Sequence, residues 1–178
     1  TKSLKSCYAN GKRIAETLCF DFHRKFNLDV KVARIFNSYG PRLKPEDGRV
    51  ISNFIYQALN NQSLTIYGNG MQTRSFCFIS DTVDALIKLK DTKFTGAINI
   101  GSPSEISIRD LAKLIDKKIN SKKDFIFYED FKDETTRRCP SIKLASEILD
   151  WEPQITLDKG LNLSIKFYKD SFKADLKY

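Results

Sequence analysis

The spacing of apolar positions changes repeatedly along the chain, and these changes predict alternating helices and strands. In residues 6–26 apolar side chains recur every three or four positions, which is typical of an amphipathic helix. Residues 30–36 are a run of small and β-branched side chains and predict a strand. A helix followed at once by a strand is half of a repeating α/β unit, so the sequence predicts an α/β protein.

The remaining sequence continues this alternation after a loop at 37–48, which Gly and Pro residues punctuate. Gly68 to Gly70 predict a hairpin turn. Ser or Thr residues are predicted to cap four of the later helices. Further helices are predicted at 49–59, at 81–90 after Ser80, at 108–119 after Ser107, at 142–149 after Ser141 and beyond Thr156. Further strands are predicted at 64–67, 74–79, 97–100 and 125–128.

Composition narrows the class of protein. The 178 residues are 41% hydrophobic and 29% charged, which suits a folded domain with a core rather than a disordered tail. The net charge of +8 comes from scattered Lys and Arg residues, so we expect a solvated basic surface and no nucleic-acid partner. No apolar run approaches the roughly 20 residues of a membrane span, so we expect no membrane partner either.

Cysteine and histidine usage argues against a metal centre. The four cysteines form no Cys-x-x-Cys pair, and the chain contains one histidine. We therefore predict no metal site and expect free thiols in a reducing cytoplasm.

The strongest chemical signal is Tyr8 followed four residues later by Lys12. On a helix these two side chains lie on one face. A lysine cation beside a phenol favours the phenolate, so we expect a lowered tyrosine pKa and a base able to take a proton from a substrate hydroxyl. The spacing also arises by chance in helices that pack a tyrosine and expose a lysine, so on its own it is a weak signal.

Several further segments occur in a fixed order after this pair, and together they are more specific than the pair alone. With them the chain resembles the UDP-glucuronate decarboxylases (UDP-xylose synthases), a family of extended short-chain dehydrogenases. The segments that carry the resemblance are 6–18, 33–42, 47–55, 64–76, 137–142 and 149–153.

This resemblance implies the C-terminal part of an NAD(P)-binding Rossmann-like domain with a small α/β substrate-binding subdomain. Residues 1–48 would end the Rossmann-like domain, and 49–178 would mainly form the nucleotide-sugar subdomain, with segments near 74–100 returning to the first part. The implied reaction uses NAD to oxidise UDP-glucuronate to a 4-keto sugar, which loses CO₂ and is reduced to UDP-xylose.

The resemblance also assigns roles to individual residues. Arginine forks suit a diphosphate, which agrees with the arginines in the set. On local pattern alone, Asn37 is equally well a turn former and Arg74 an edge-strand charge. The implied catalytic residues are Tyr8, Lys12 and Arg138; the NAD-binding residues are Tyr8, Lys12 and Ser38; and the residues that bind the UDP-sugar are Asn37, Arg49, Thr65, Tyr67, Arg74 and Arg138.

Two departures from the family pattern leave alternatives open. Ala9 and Asn10 stand where the family usually has an acidic pair, and no Gly-rich phosphate loop follows a strand in the sequence. We therefore expect a truncated chain that lacks the NAD-binding half together with the family's catalytic Ser/Thr and Glu. The alternatives are a nucleotide-sugar 4,6-dehydratase or 4-epimerase, or a non-catalytic fragment.

We also expect a homodimer, because the family pairs its tyrosine helix with a partner's helices. Apolar residues away from the active-site face could form that surface, or they could belong to the chain's own core at about even odds. These residues are Ile14, Leu18, Phe54 and Ile55.

Overall fold

The computed structural model describes residues 6–44, 47–129 and 135–175 and shows six helices and nine short strands in that part of the chain. The helices are α1 Ser6–Phe26, α2 Val50–Leu59, α3 Ile79–Asp91, α4 Ile108–Ile119, α5 Lys143–Leu149 and α6 Leu157–Asp175. The strands are β1 Lys31–Ile35, β2 Ser38–Tyr39, β3 Leu64–Tyr67, β4 Thr73–Ser75, β5 Cys77–Phe78, β6 Gly96–Ile100, β7 Glu105–Ser107, β8 Phe125–Tyr128 and β9 Arg137–Arg138.

Most strand pairs are parallel, as expected when helices connect the strands of an α/β protein. β1 pairs with β6, β2 with β5, and β3 with β8, all in parallel. The fourth sheet has the order β7-β4-β9, in which β4 is antiparallel to β7 and parallel to β9. The predicted α/β class is therefore confirmed.

The larger of two apolar cores holds α2, α4 and α6 against β3. In α2 and α4 the buried residues follow the three- and four-residue spacing of one helix face. Tyr39 and Phe78 extend this core toward β2 and β5, where their rings meet edge to face at 5.5 Å. The buried helix residues are Ile51, Phe54, Ile55, Ala58, Ile108, Leu111, Ala112, Ile115, Leu161, Ile165 and Tyr168.

The second core packs α3 and α5 against β6, with partly buried Ala33 of β1 at its edge. Trp151, the one tryptophan of the chain, lies in it and donates its indole N–H to the backbone oxygen of Asp81 at 3.1 Å. The β1–β6 pair thus packs in the second core, whereas β3 packs in the larger one.

Helix α1 and the outer edge of β1 are the least covered parts of the described structure. No residue of α1 is buried, and Ile14 and Leu18 are exposed. Among the described residues no strand pairs with β1 on the side away from β6. Parallel strands are usually covered on both faces, so this region is open compared with an ordinary α/β sheet.

Several local predictions are confirmed and others are wrong. Ser107 caps α4, because its hydroxyl oxygen accepts the Asp110 backbone N–H at 3.0 Å, and Thr156 caps α6 in the same way. Ser80 does not cap α3, which already begins at Ile79. Ser141 does not cap α5, whose N-cap is residue 142.

Two tertiary predictions also need correction. Gly68 and Gly70 adopt positive φ in a turn, but the turn joins no hairpin, because β3 pairs with β8 while β4 pairs with β7 and β9. Phe54 and Ile55 are fully buried in the larger core and so cannot contribute to a dimer surface.

Within residues 6–44, 47–129 and 135–175, no helix is both long enough and apolar enough to cross a bilayer. The same residues contain no group of three or more His, Cys, Asp or Glu side chains that could hold a metal ion.

Candidate active site

Tyr8 and Lys12 lie on one exposed face of α1, one helical turn apart. The Lys12 Nζ is 5.7 Å from the centroid of the Tyr8 ring. Tyr8 is 72% exposed, so its hydroxyl is accessible to a bound molecule. The predicted juxtaposition of a phenol and an ammonium group is therefore present in the structure.

Glu16 and Arg34 tie α1 to β1 one turn beyond Lys12. The Arg34 guanidinium donates to both carboxylate oxygens of Glu16. The hydrogen bond from Arg34 holds the pKa of the Glu16 carboxyl below its usual range. This ion pair orients the helix that carries Tyr8 relative to the strand that leads to Asn37.

Asn37 and Ser38 lie just beyond β1 and are bonded to residues of β4, β5 and α3. The Asn37 side-chain amide donates to the Ser75 carbonyl oxygen at 3.0 Å, and the Asn37 backbone carbonyl accepts the Cys77 N–H at 3.0 Å. The Ser38 hydroxyl is 3.0 Å from that of Thr82 on α3. These bonds place Asn37 beside the residue that follows Arg74.

Arg74 and Arg138 occupy directly paired positions on the parallel strands β4 and β9. Arg74 is 7% exposed and donates from Nη1 to the Thr73 carbonyl oxygen at 2.7 Å, while Arg138 is exposed. Guanidinium groups form forked hydrogen bonds to carboxylates and phosphates, so the exposed Arg138 at this position is a candidate contact for an anionic ligand.

A third arginine on these strands is neutralised. Arg137 donates from Nε and Nη2 to the carboxylate of Glu105 on β7, with distances of 2.7 to 3.1 Å. The Thr73 hydroxyl donates to the same carboxylate at 2.8 Å. These hydrogen bonds lower the pKa of Glu105, that from Arg137 having the largest effect. Sequence reasoning missed Glu105, because its partners come from strands too short to show a pattern.

Thr65 and Tyr67 lie on β3, away from the paired arginines along the chain. The Thr65 N–H and hydroxyl both bond to the Gln57 side chain, at 3.1 and 2.9 Å. The Tyr67 ring packs against Tyr128 with centroids 5.7 Å apart. Both tyrosines are exposed, so this pair offers an open aromatic surface.

Arg49 precedes α2 and is exposed. Its Nε is 2.8 Å from a carboxylate oxygen of Asp47. The described contacts thus link Asn37, Arg74 and Arg138 through β4 and β9. Within residues 6–44, 47–129 and 135–175, the contacts given above for Tyr8, Lys12, Arg49 and Thr65 do not extend to that group.

The parallel strand pairs and their connecting helices define a Rossmann-like α/β protein of the short-chain dehydrogenase class. The chain belongs to the NAD dependent epimerase/dehydratase family, whose family model matches residues 2–101.

Curated proteins similar to this chain include UDP-glucuronic acid decarboxylases. The chain is 48% identical over 160 residues to UDP-glucuronic acid decarboxylase 3 of Arabidopsis thaliana, a match that covers 90% of this chain and 47% of the relative. It is 42% identical over 165 residues to UDP-glucuronic acid decarboxylase 1 of Xenopus tropicalis, which covers 93% of this chain and 39% of the relative. The chain thus spans less than half the length of these relatives.

Solved structures of related enzymes have the same fold. UDP-glucose 4-epimerase of Thermotoga maritima, solved with UDP-glucose, matches with a TM-score of 0.90 at 25% identity, over 93% of this chain and 54% of that one. UDP-glucuronic acid 4-epimerase of Bacillus cereus, solved with UDP-glucuronic acid and NAD, matches with a TM-score of 0.81 at 30% identity, over 88% and 50%.

The residues of α1 fit one end of a dinucleotide. An exposed phenol with a cation over its ring can approach a nicotinamide ribose without displacing any core residue. The described residues contain no Gly-rich loop between a strand and a helix, so they provide no cradle for the dinucleotide phosphates. The fit therefore extends to the nicotinamide–ribose end alone.

Proposed function

We propose that this chain forms the nucleotide-sugar part of an NAD-dependent UDP-glucuronate decarboxylase. The observation that carries the proposal is the directly paired Arg74 and Arg138 on β4 and β9. UDP-glucuronate bears a diphosphate and a carboxylate, which are the anionic groups that arginine side chains bind through forked hydrogen bonds. The 42% to 48% identity to UDP-glucuronic acid decarboxylases supports the same substrate.

In this proposal Tyr8 is the catalytic base and takes the proton of the sugar 4-hydroxyl. Lys12 stabilises the phenolate by its charge and, with Tyr8 and Ser38, would hold the nicotinamide ribose. NAD, when bound, supplies the hydride chemistry at the sugar C4. Arg138 holds the sugar carboxylate in place for loss of CO₂, a step that the neighbouring keto group makes easy.

The other assigned residues would bind the remainder of the substrate. Asn37 is fixed beside the Arg74 strand by its bond to Ser75 and would line the sugar-diphosphate region. Thr65 and Tyr67 would face the uridine, for which an exposed aromatic surface is suitable. Arg49 would contact a phosphate once its ion pair with Asp47 is broken.

The division near residue 48 remains part of the proposal. The two apolar cores support it, because β1, α3, β6 and α5 share one core while α2, β3, α4 and α6 share the other. Segments near 74–100 return to the first part, as α3 and β6 do.

We also propose a homodimer and a cytoplasmic location. The exposed Ile14 and Leu18 on α1 support the dimer, and the four unpaired cysteines suit a reducing compartment. Sedimentation velocity of the full-length protein tests the dimer: Leu18→Asp should shift it to a monomer, and an unchanged dimer would rule out this face.

Substrate binding tests the central proposal. Isothermal titration should show that this chain binds UDP-glucuronate more tightly than UDP-glucose, because only the former has a carboxylate for Arg138. Removing a charge-assisted hydrogen bond costs about 1.5–3 kcal/mol, so Arg138→Gln should abolish a preference of roughly 10- to 100-fold. Lys143→Gln, an exposed change five residues away, should leave it intact. Equal binding of the two sugars by the unaltered chain would contradict the proposal.

Turnover distinguishes the alternatives. Full-length protein with UDP-glucuronate and NAD should release CO₂ and UDP-xylose. A 4-epimerase would yield UDP-galacturonate without CO₂, and the likeness to two 4-epimerase structures makes this the main competing activity. Titration of the present chain with NAD tests whether it is non-catalytic in isolation, in which case no tight binding is expected.

A further inference from the structure

Glu105 joins all three strands of the sheet β7-β4-β9. Its carboxylate, on β7, accepts the Thr73 hydroxyl of β4 at 2.8 Å. It also accepts Nε at 2.9 Å and Nη2 at 2.7 Å from Arg137 of β9, in a forked, charge-assisted arrangement. The Glu105 carboxylate therefore connects β7 to both other strands of the sheet.

Within the described ranges 47–129 and 135–175, few other backbone hydrogen bonds are seen for strand β9. It is two residues long and pairs with β4 through the registers Thr73↔Arg137 and Arg74↔Arg138, extended by the bond from Thr73 N–H to the Thr136 carbonyl oxygen at 2.9 Å. So short a ladder gives little cooperative stability by itself. The ion pair of Glu105 with Arg137 adds a side-chain contact to this short ladder and so helps to hold β9 in register.

Successive side chains of a strand point to opposite faces, so Arg137 and Arg138 lie on different sides of this sheet. Glu105 holds the Arg137 side, and Arg138 is left beside Arg74. The same carboxylate neutralises Arg137 on its own face of the sheet. By keeping β9 in register, the contact between Glu105 and Arg137 would set the position of Arg138 on the opposite face.

We propose that Glu105 is a positioning residue that fixes Arg138 and thereby sets the preference for a sugar nucleotide with a carboxylate. The proposal rests on the proposed function, because it assumes that Arg138 meets that carboxylate. Glu105 itself does not touch the substrate. Hydrogen bonds from Arg137 hold the pKa of Glu105 below its ordinary value, so the carboxylate is ionised at neutral pH.

The test compares Glu105→Gln with Glu147→Gln, the same change at an exposed glutamate on α5 whose partner Lys143 is 3.7 Å away. Titrations use UDP-glucuronate, UDP-glucose and UDP. We expect Glu105→Gln to weaken UDP-glucuronate binding about tenfold, while the affinities for UDP-glucose and UDP change less than about threefold. Glu147→Gln should change none of the three, and Glu105→Asp should restore part of the preference.

A second measurement, made without ligand, follows the docking of β9 on β4. Hydrogen exchange at the Thr73 amide reports whether β9 is docked, because that N–H donates to Thr136. Glu105→Gln should accelerate this exchange, while an amide in the centre of α4 keeps its wild-type rate. An unchanged rate at Thr73 would show that Glu105 does not hold β9 in register and would overturn the proposal.

The possible results separate the two proposals. If the unaltered chain prefers UDP-glucuronate and Glu105→Gln retains that preference, the role of Glu105 is refuted and the proposed function stands. If Glu105→Gln weakens the binding of all three ligands equally, Glu105 has only a structural role and the proposal is again refuted. If the unaltered chain shows no preference for UDP-glucuronate, the proposed function fails and the role of Glu105 in selectivity fails with it.

Discussion

Gly160 on α6 occupies a position where only a glycine fits, and Gly160→Ala is expected to destabilise the protein. A Cβ at this position would overlap the Tyr39 hydroxyl oxygen and would lie 2.8 Å from Tyr39 Cζ and from Phe78 Cδ2. These rings are buried in the larger core and pack edge to face, so neither can move without disturbing the other.

Two opposing contributions determine the sign of the effect. Alanine is favoured over glycine in a helix by about 1 kcal/mol. Overpacking a buried site costs roughly 1–3 kcal/mol. Displacing Tyr39 also removes its hydrogen bond to the Leu157 carbonyl oxygen, worth about 1 kcal/mol. The steric cost therefore exceeds the gain, and we expect a net loss of about 1–3 kcal/mol in the free energy of unfolding.

Gly11 on α1 provides a matched control, because nothing lies within 4 Å of a Cβ placed there. Gly11→Ala should therefore show the helix-propensity gain alone, roughly 0.5–1 kcal/mol. Urea unfolding followed by the fluorescence of buried Trp151 measures both variants. If Gly160→Ala proves as stable as the wild type, or more stable, the close approach of α6 to Tyr39 is not as described and the reasoning is refuted.

Three other changes test the cap, the second core and the buried phenol, each by denaturant unfolding. Ser107→Ala removes the cap of α4 and should cost about 1 kcal/mol; no change would show that the cap is unimportant. Trp151→Phe leaves the buried Asp81 carbonyl without its indole donor and should cost about 1–3 kcal/mol by circular dichroism, whereas a neutral result would point to a replacement donor. Burial raises the pKa of the Tyr39 hydroxyl. As the pH rises, the unfolded chain therefore loses this proton before the folded chain does, and the free energy of unfolding should fall above about pH 10. Tyr39→Phe should flatten this decline, and an identical slope would assign it to other groups.

The helices and the longer strands could be predicted from the sequence because each has enough residues to show a period. Helix α1 has the predicted bounds of 6–26, and β3 and β8 also coincide with their predicted ranges. The β2, β7 and β9 strands could not be found, because two or three residues carry no periodicity and their pairing depends on partners far along the chain. The wrong hairpin at Gly68 has the same origin, since strands that are adjacent in sequence pair with distant ones here.

The candidate site shows the same limit. The spacing of Tyr8 and Lys12 is a local property of one helix, so the sequence was sufficient to bring them together. The pairing of Arg74 with Arg138 joins residues 64 positions apart, and only the register of β4 and β9 reveals it. Glu105 was overlooked because its role comes entirely from two neighbouring strands. The assignment of roles to these residues remains a prediction.

Because the outer edge of β1 is uncovered, association between copies of the chain should depend on ionic strength. An open strand edge is a template for addition of a second strand, and charged side chains on that strand oppose it. β1 carries two such charges, Lys31 and Arg34, which are held by Asp29 and Glu16. These two charges are compensated, but the net charge of +8 makes two copies repel each other as they approach, and salt screens this repulsion beyond about 10 Å at 0.1 M. Dilute buffer should therefore keep the chains apart, and concentrated salt should promote their association strand to strand.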